Sequence, residues 1–178
     1  MKIDIGCGGK KKEGYIGLDQ YPMLGVDHVL NIGTEFWPFD NASVDEAYSS
    51  NFLEHLTNLH GANERVHFFN ELFRVLRFGA KAFIAIPHWN STRYYGDPTH
   101  KEPFSEFGVY YLNRKWRLSQ APHTDISWNP QGYNCDFDSR LGYVLQPEFR
   151  NLKIEEKEYT QARLRDAVEE LHLHLVRR

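Results

Sequence analysis

Met1-Lys2-Ile3-Asp4-Ile5-Gly6-Cys7-Gly8-Gly9, with Asp19 ten residues beyond Gly9 at the end of Tyr15-Ile16-Gly17-Leu18-Asp19, decides how this chain reads. Met1 to Ile5 has the pattern of an apolar strand that stops at Gly6. Glycines at a strand end let the backbone bend tightly and let a ligand approach without a Cβ in the way. Tyr15 to Asp19 reads as a second strand, and an acid at its end can accept hydrogen bonds from both hydroxyls of a ribose. The dinucleotide pattern Gly-x-Gly-x-x-Gly is not met. Counted from Gly6, its last glycine falls on Lys11, and Asp19 arrives sooner than the roughly 20 residues that pattern spans. A phosphate-cradling loop is excluded as well, because Lys10 lacks the required glycine spacing and no Ser or Thr follows it.

Outward from this loop, short apolar runs alternate with helical patterns, which suggests a parallel α/β sheet. Val29 to Ile32 is predicted as a third strand and Asp45 to Ser50 as a fourth. Ala62, Val66, Phe69, Phe73 and Leu76 form one stripe of an amphipathic helix, with Gly79 where a helix C-terminal glycine belongs. Lys81 to Ile86 is a fifth strand ended by Pro87. Residues 88–135 are rich in Trp, Tyr, Asn, Pro and His without a clean period, the mark of a lid or binding insert. Leu141 to Leu145 and Leu152 to Glu156 are predicted as a last pair of strands. Leu164, Val168, Leu171 and Leu175 predict a closing amphipathic helix whose basic end suits the helix dipole. The whole of 1–178 is expected to be one domain.

Composition narrows the function classes. The chain has 178 residues, and 21 Lys and Arg against 24 Asp and Glu leave a net charge of −3, which argues against broad nonspecific nucleic-acid binding. Hydrophobic residues at 41% and charged residues at 25% fit a folded globule and exclude disorder as the main state. With a mean hydropathy of −0.60 and no apolar run of about 20 residues, no membrane span is expected. No basic-then-apolar leader is evident. Two cysteines, Cys7 and Cys135, make no disulfide framework, so a cytoplasmic protein is the expectation.

On these residues the chain resembles the class I S-adenosylmethionine-dependent methyltransferases, and more narrowly a compact subgroup that begins with an Asn/Asp-Ile-Gly-Cys-Gly stretch. The resemblance covers roughly residues 3–104. Asp4-Ile5-Gly6-Cys7-Gly8-Gly9 is similar to the family's first motif, and Tyr15 to Asp19 to its second strand. His28-Val29-Leu30-Asn31-Ile32, then Trp37-Pro38-Phe39-Asp40-Asn41, resembles the third motif. Val44 to Leu56 resembles the fourth, and Glu71 to Ala80 the turn before the fifth strand. Pro87-His88 and Asp97-Pro98-Thr99-His100-Lys101 are similar to motifs of the subgroup. The resemblance implies a Rossmann-like α/β fold, with a mostly parallel central sheet and the aromatic-rich insert set upon it. It also implies S-adenosylmethionine as cofactor, held by Asp4, Gly6, Gly8, Asp19, Asn31, Ile32 and Asn51, with Asp19 as ribose ligand and Asn31 beside the adenine. One departure matters. Only Gly6 to Gly14 joins the first two strands, too short for the usual crossover helix, so that helix is expected to be missing or a single turn. The N-terminal helices that often cover such a pocket are also expected to be lacking, with 88–135 and the last helix as replacements.

Methyl transfer needs an aligned nucleophile and, for a hydroxyl acceptor, a base. Such groups belong beyond the C-terminal ends of the strands. His88, directly after the fifth strand, is the first candidate and His100 the second. The resemblance implies that Glu54 and His55 lie near the cofactor or open the next helix, and Asp97 could orient His100. No His-Glu-x-x-His or Cys-x-x-Cys is present, His172 and His174 point to different faces of the predicted helix, and Asp125, Asp136 and Asp138 have generic spacing, so no metal is expected. The expected acceptor is an oxygen or nitrogen of a small molecule or glycan under the insert. A binding subunit without turnover remains open, as does a nucleic-acid methyltransferase using Lys10 to Lys12 and Arg114-Lys115-Trp116-Arg117. A homodimer is possible.

Overall fold

The computed structural model describes residues 1–178 apart from the side chain of residue 60. Its centre is a seven-stranded sheet of β1 (Lys2–Ile5), β2 (Ile16–Asp19), β3 (His28–Val29), β4 (Val44–Ser50), β5 (Leu76–Pro87), β6 (Phe137–Leu145) and β7 (Val168–Arg177). The spatial order is β3-β2-β1-β4-β5-β7-β6. The first five strands are mutually parallel, and β7 runs antiparallel between β5 and β6. Order reverses between β1 and β4, which makes the crevice past the ends of these strands the place where an open α/β sheet binds ligands.

Between β1 and β2 the chain makes only turns, as the shortness of Gly6 to Gly14 requires. Between β4 and β5 lies α1 (Glu64–Val75), which buries Val66, Phe68, Phe69, Leu72 and Val75. Its start is capped from a distance: Asn58 Oδ1 accepts from the N–H groups of Arg65 and Val66 at 3.1 and 3.2 Å.

The register explains which face is core. Ile3 lies opposite Ala47, Ala47 opposite Ala82, and Ala82 opposite Leu175. This row is buried against α1. The neighbouring row joins Gly17, Asp4, Tyr48, Phe83 and His174 on the other face. There Tyr48 stacks on Phe83 at 5.6 Å, and His172 and His174 meet Phe83 edge-on at 5.0 and 5.1 Å. Much of this face is half-exposed, whereas largely parallel sheets are ordinarily covered on both sides. A broad concavity of about 1130 Å³ runs along it, lined by Glu46, Lys81, Phe83 and His174 among others. It lies at the end of the sheet away from Gly6 and so outside the candidate site.

Four expectations change. The predicted closing helix is strand β7. Leu171, Leu173 and Leu175 are buried, and His172 and His174 alternate with them, a period of two that hydrogen bonding to β5 and β6 enforces. His172 and His174 therefore share one face. The predicted strand at Leu152–Glu156 is instead the beginning of a helix, Ile154–Arg163, where Glu156 accepts from the Lys153 N–H at 2.9 Å and fixes the first turn. Gly79 is not a helix cap. The helix ends at Val75, and Leu76 already pairs with Val44. Pairing resumes at Glu46 with Lys81, so residues 77–80 bulge outward, with Gly79 at φ +74°. The third strand is His28–Val29, shorter and earlier than Val29 to Ile32.

The insert carries four short helices, α2 (Thr92–Tyr95), α3 (Glu106–Tyr110), α4 (Arg114–Gln120) and α5 (Asp125–Trp128). Phe104, Val109, Leu112, Tyr133 and Cys135 sink into the main core. Buried Arg117 donates to the carbonyls of Tyr111, Tyr133 and Cys135 at 2.8, 2.9 and 2.9 Å and so ties the middle of the insert to its C-terminal end.

Candidate active site

The glycine loop is hung on β2. Leu18 carbonyl oxygen accepts from the N–H groups of Gly6 and Cys7 at 2.9 and 3.1 Å. Asp19 Oδ2 accepts from the Gly8 N–H at 2.8 Å, and Oδ1 from the Tyr21 N–H at 3.0 Å. Asp19 is only 7% exposed, and these two bonds hold its side chain at the strand end. Asp4 Oδ2 accepts from the Lys12 N–H at 2.7 Å and closes the far side of the loop. Burial pushes the Asp4 carboxyl above its usual range despite that bond.

Two glycines here are required by geometry. Gly6 has φ +68°, and a Cβ there would lie 2.2 Å from the ring of Phe52, which roofs the loop. Gly17, in the strand beneath, would place a Cβ 2.8 Å from Cys7 Sγ, from the Gly25 carbonyl oxygen and from Lys11 Cδ. Gly17 was not among the expected site residues. An isolated glycine inside a strand is the signal for such a close approach.

Asn31 is exposed and caps its own turn, with Oδ1 accepting from the Gly33 N–H at 3.1 Å. Ile32 is buried, and its carbonyl accepts from the Trp37 indole N–H at 3.1 Å. Asn51 directly follows β4, at φ +53°, and its Oδ1 accepts from Arg93 at 3.3 Å. Asp4, Gly6, Gly8, Asp19 and Asn51 thus lie at the C-terminal ends of β1, β2 and β4, with Asn31 and Ile32 just past β3.

The two candidate bases sit differently. His88 is buried. Its Nε2 lies 2.8 Å from Glu106 Oε1, and its Nδ1 accepts from the Asn90 N–H at 3.3 Å. Both ring nitrogens are therefore engaged, and Trp89 donates to the same Glu106 at 2.9 Å. His100 donates from Nδ1 to the Tyr94 carbonyl at 2.6 Å, which turns Nε2 to the opposite side of the ring. That Nε2 faces Glu54 Oε1 at 3.9 Å and Asp97 Oδ2 at 3.8 Å. Glu54 lies in the single turn Leu53–His55 after β4, is 2% exposed, and has no hydrogen-bond partner on either carboxylate oxygen. Burial pushes its carboxyl up to about 7. Among the described residues, Glu54, His55 and His100 form a group whose ligand atoms all lie within 4.8 Å of one another.

The sequence's other candidates are not gathered. Asp136 accepts from the Arg114 N–H, and Asp138 pairs with Arg178. Of the basic clusters, Arg117 is buried on three carbonyls, Lys11 pairs with Asp27 at 2.6 Å, and Lys12 lies over the Tyr48 ring at 4.4 Å. Trp116 stacks on Tyr110 at 5.5 Å.

Comparison with known proteins agrees with this topology. A methyltransferase from Archaeoglobus fulgidus, described as SAM-dependent, superposes with a TM-score of 0.66 at 18% identity, over 99% of this chain and 85% of that one. A putative methyltransferase from Haloferax volcanii, solved in complex with the Trm112 methyltransferase activator, superposes with a TM-score of 0.57 at 16% identity, over 99% and 81%. A Methanosarcina mazei protein described as a SAM-dependent methyltransferase gives 0.52 at 17%, over 99% and 91%. No protein-family model matches the chain, and no curated protein matches it. The chain has the class I methyltransferase fold, with its sheet order, its antiparallel seventh strand and its glycine loop at the switch point. Among the described residues no helix is long and apolar enough to cross a membrane.

Proposed function

We propose that the chain is an S-adenosylmethionine-dependent methyltransferase acting on an oxygen or nitrogen of a small molecule or glycan. Residues 1–178 would work as one unit, with 88–135 covering the acceptor. The observation that carries this is Asp19, fixed at the end of β2 and clamping the Gly8 N–H of a left-handed glycine turn. The residues fit the cofactor. A Cβ at Gly8 would meet only Met23 Cε at 3.9 Å and one at Gly9 nothing within 4 Å, so the loop's outer surface is open to a ligand. Each Asp19 oxygen keeps a lone pair beyond its backbone bond, enough for the two hydroxyls of a ribose. Asp4, Gly6, Asn31, Ile32 and Asn51 complete the proposed cofactor set.

S-adenosylmethionine supplies an electrophilic methyl group on a sulfonium. The chain's own work is alignment and proton handling. Phe52 shuts the loop from above and α2 flanks the crevice. His100 presents Nε2 beside Glu54, where it can take an acceptor proton. His88, the other proposed base, must first release Glu106. In thermal unfolding, S-adenosylmethionine or S-adenosylhomocysteine at about 100 times its dissociation constant adds about 2.7 kcal/mol, a rise of roughly 5–10 °C for a chain this size. NAD should give none. A rise with NAD alone contradicts the proposal.

A second reading, a methyltransferase-like binding subunit without turnover, is favoured by the half-exposed Tyr48–Phe83–His174 face. Binding without turnover against any acceptor pool would favour it.

A further inference from the structure

We propose that Glu54, His55 and His100 bind a divalent first-row transition-metal ion of the Zn²⁺ class at the end of β4. Three independent features converge. Glu54 is buried with both carboxylate oxygens unpartnered, and burying a carboxylate without a partner is costly unless something on the other side answers it. One ligand atom from each of the three residues lies within 4.8 Å of the others, so closure by about an ångström reaches the donor spacing of an ion bound at about 2.0–2.2 Å. His100 is also oriented as a ligand is. It donates its Nδ1 proton to the Tyr94 carbonyl at 2.6 Å, which turns Nε2 toward Glu54, the outer hydrogen-bond arrangement of metal-bound histidine. His55 is held beside it, with Nδ1 at 3.3 Å from both the carbonyl and the hydroxyl oxygen of Thr99.

Two imidazoles and one carboxylate favour Zn²⁺, Co²⁺ or Fe²⁺ over Mg²⁺, which prefers oxygen donors. Three protein ligands leave open positions for water or an acceptor oxygen. Asp97 Oδ2, 3.8 Å from His100 Nε2, stands at the rim as a further donor. The spacing of the sequence conceals the site, because Glu54 and His55 follow a strand while His100 comes from the insert. With the ion bound, His100 Nε2 is a ligand and not a base. The open positions narrow the acceptor atom to oxygen; that narrowing rests on the methyltransferase reading, and the ion site does not.

The test is Co²⁺ titration of the full chain after chelator treatment, read by visible d–d absorption and by competition with Zn²⁺ and Mg²⁺. The expected result is one equivalent bound, displaced by Zn²⁺ and not by Mg²⁺. Glu54→Gln, His55→Gln and His100→Ala should each weaken binding at least tenfold, and His123→Ala, at an exposed histidine outside the site, should leave it unchanged. If the buried variants fail to fold, electron spin-echo modulation of Cu²⁺-loaded wild type gives the answer, since two coordinated imidazoles are expected. Absence of binding, equal binding of Mg²⁺, or binding indifferent to His55→Gln overturns the site. A thermal shift with S-adenosylmethionine on the same samples separates the two ideas. Ion binding without that shift keeps the site and removes the methyltransferase reading, and the shift without ion binding does the reverse.

Discussion

Gly17→Ala should damage the cofactor loop from underneath. The added methyl would sit 2.8 Å from Cys7 Sγ, the Gly25 carbonyl oxygen and Lys11 Cδ. Only the lysine can swing away. The other two belong to chain held in place by the Gly6 and Cys7 bonds to Leu18 and by Asp27, which takes the Gly17 N–H at 2.7 Å. Overpacking of this kind costs about 1–3 kcal/mol, which for a chain this long lowers the melting temperature by about 2–12 °C. Part of the relief must come from lifting Cys7 off β2, which drags the neighbouring Gly8 N–H away from Asp19. Affinity for S-adenosylmethionine should therefore fall together with stability. Gly9→Ala is the control, because its Cβ meets nothing within 4 Å. It should be within about 0.5 kcal/mol of wild type. Urea denaturation of both variants, with thermal shifts at fixed S-adenosylmethionine, reads the outcome. Equal stability and equal ligand response for the two alanine variants would refute the reasoning.

Arg117→Ala strips two buried carbonyls and one half-buried carbonyl of their donor and should cost about 3–5 kcal/mol, seen as a lower urea midpoint; a loss below about 1 kcal/mol would contradict the tie assigned to it. Burial raises the thiols of Cys7 to about 11 and of Cys135 to about 12, so neither should react with a disulfide reagent at neutral pH until the chain is unfolded; fast reaction of native protein would contradict this. Burial raises Asp4 above its ordinary 3.8, so its contribution to stability is full below 3.8 and is lost as pH rises through the folded value. The stability of wild type relative to Asp4→Asn should accordingly fall with rising pH over that window, and a pH-independent difference would exclude the assignment.

The glycine loop, β2, α1 and the core of β5 were legible in the sequence because each has one dominant local pattern. Strand, glycine turn and strand-end acid lie within 19 residues, and the α1 stripe keeps one period throughout. The closing strand was not. Leu164, Val168, Leu171 and Leu175 match a helix by spacing, yet Leu164 belongs to the loop before β7 and is exposed. The alternation of Leu171, His172, Leu173, His174 and Leu175 is the signal that tertiary pairing selects. The bulge at residues 77–80 was hidden for a related reason, since a glycine after a helix looks alike whether it caps or bulges. In the candidate site, Asp19 was legible from its place at a strand end. The meeting of Glu54 with His100 was not, because an aperiodic insert carries no local record of which loop it will touch.

The most direct test of the central claim is calorimetric titration of S-adenosylmethionine into the full chain and into Asp19→Ala, with folding of the variant checked by circular dichroism. Saturable one-to-one binding by wild type, weakened at least tenfold in the variant, or about 1.4 kcal/mol, is the predicted result. No binding by wild type, or equal affinity in a folded Asp19→Ala, would contradict it.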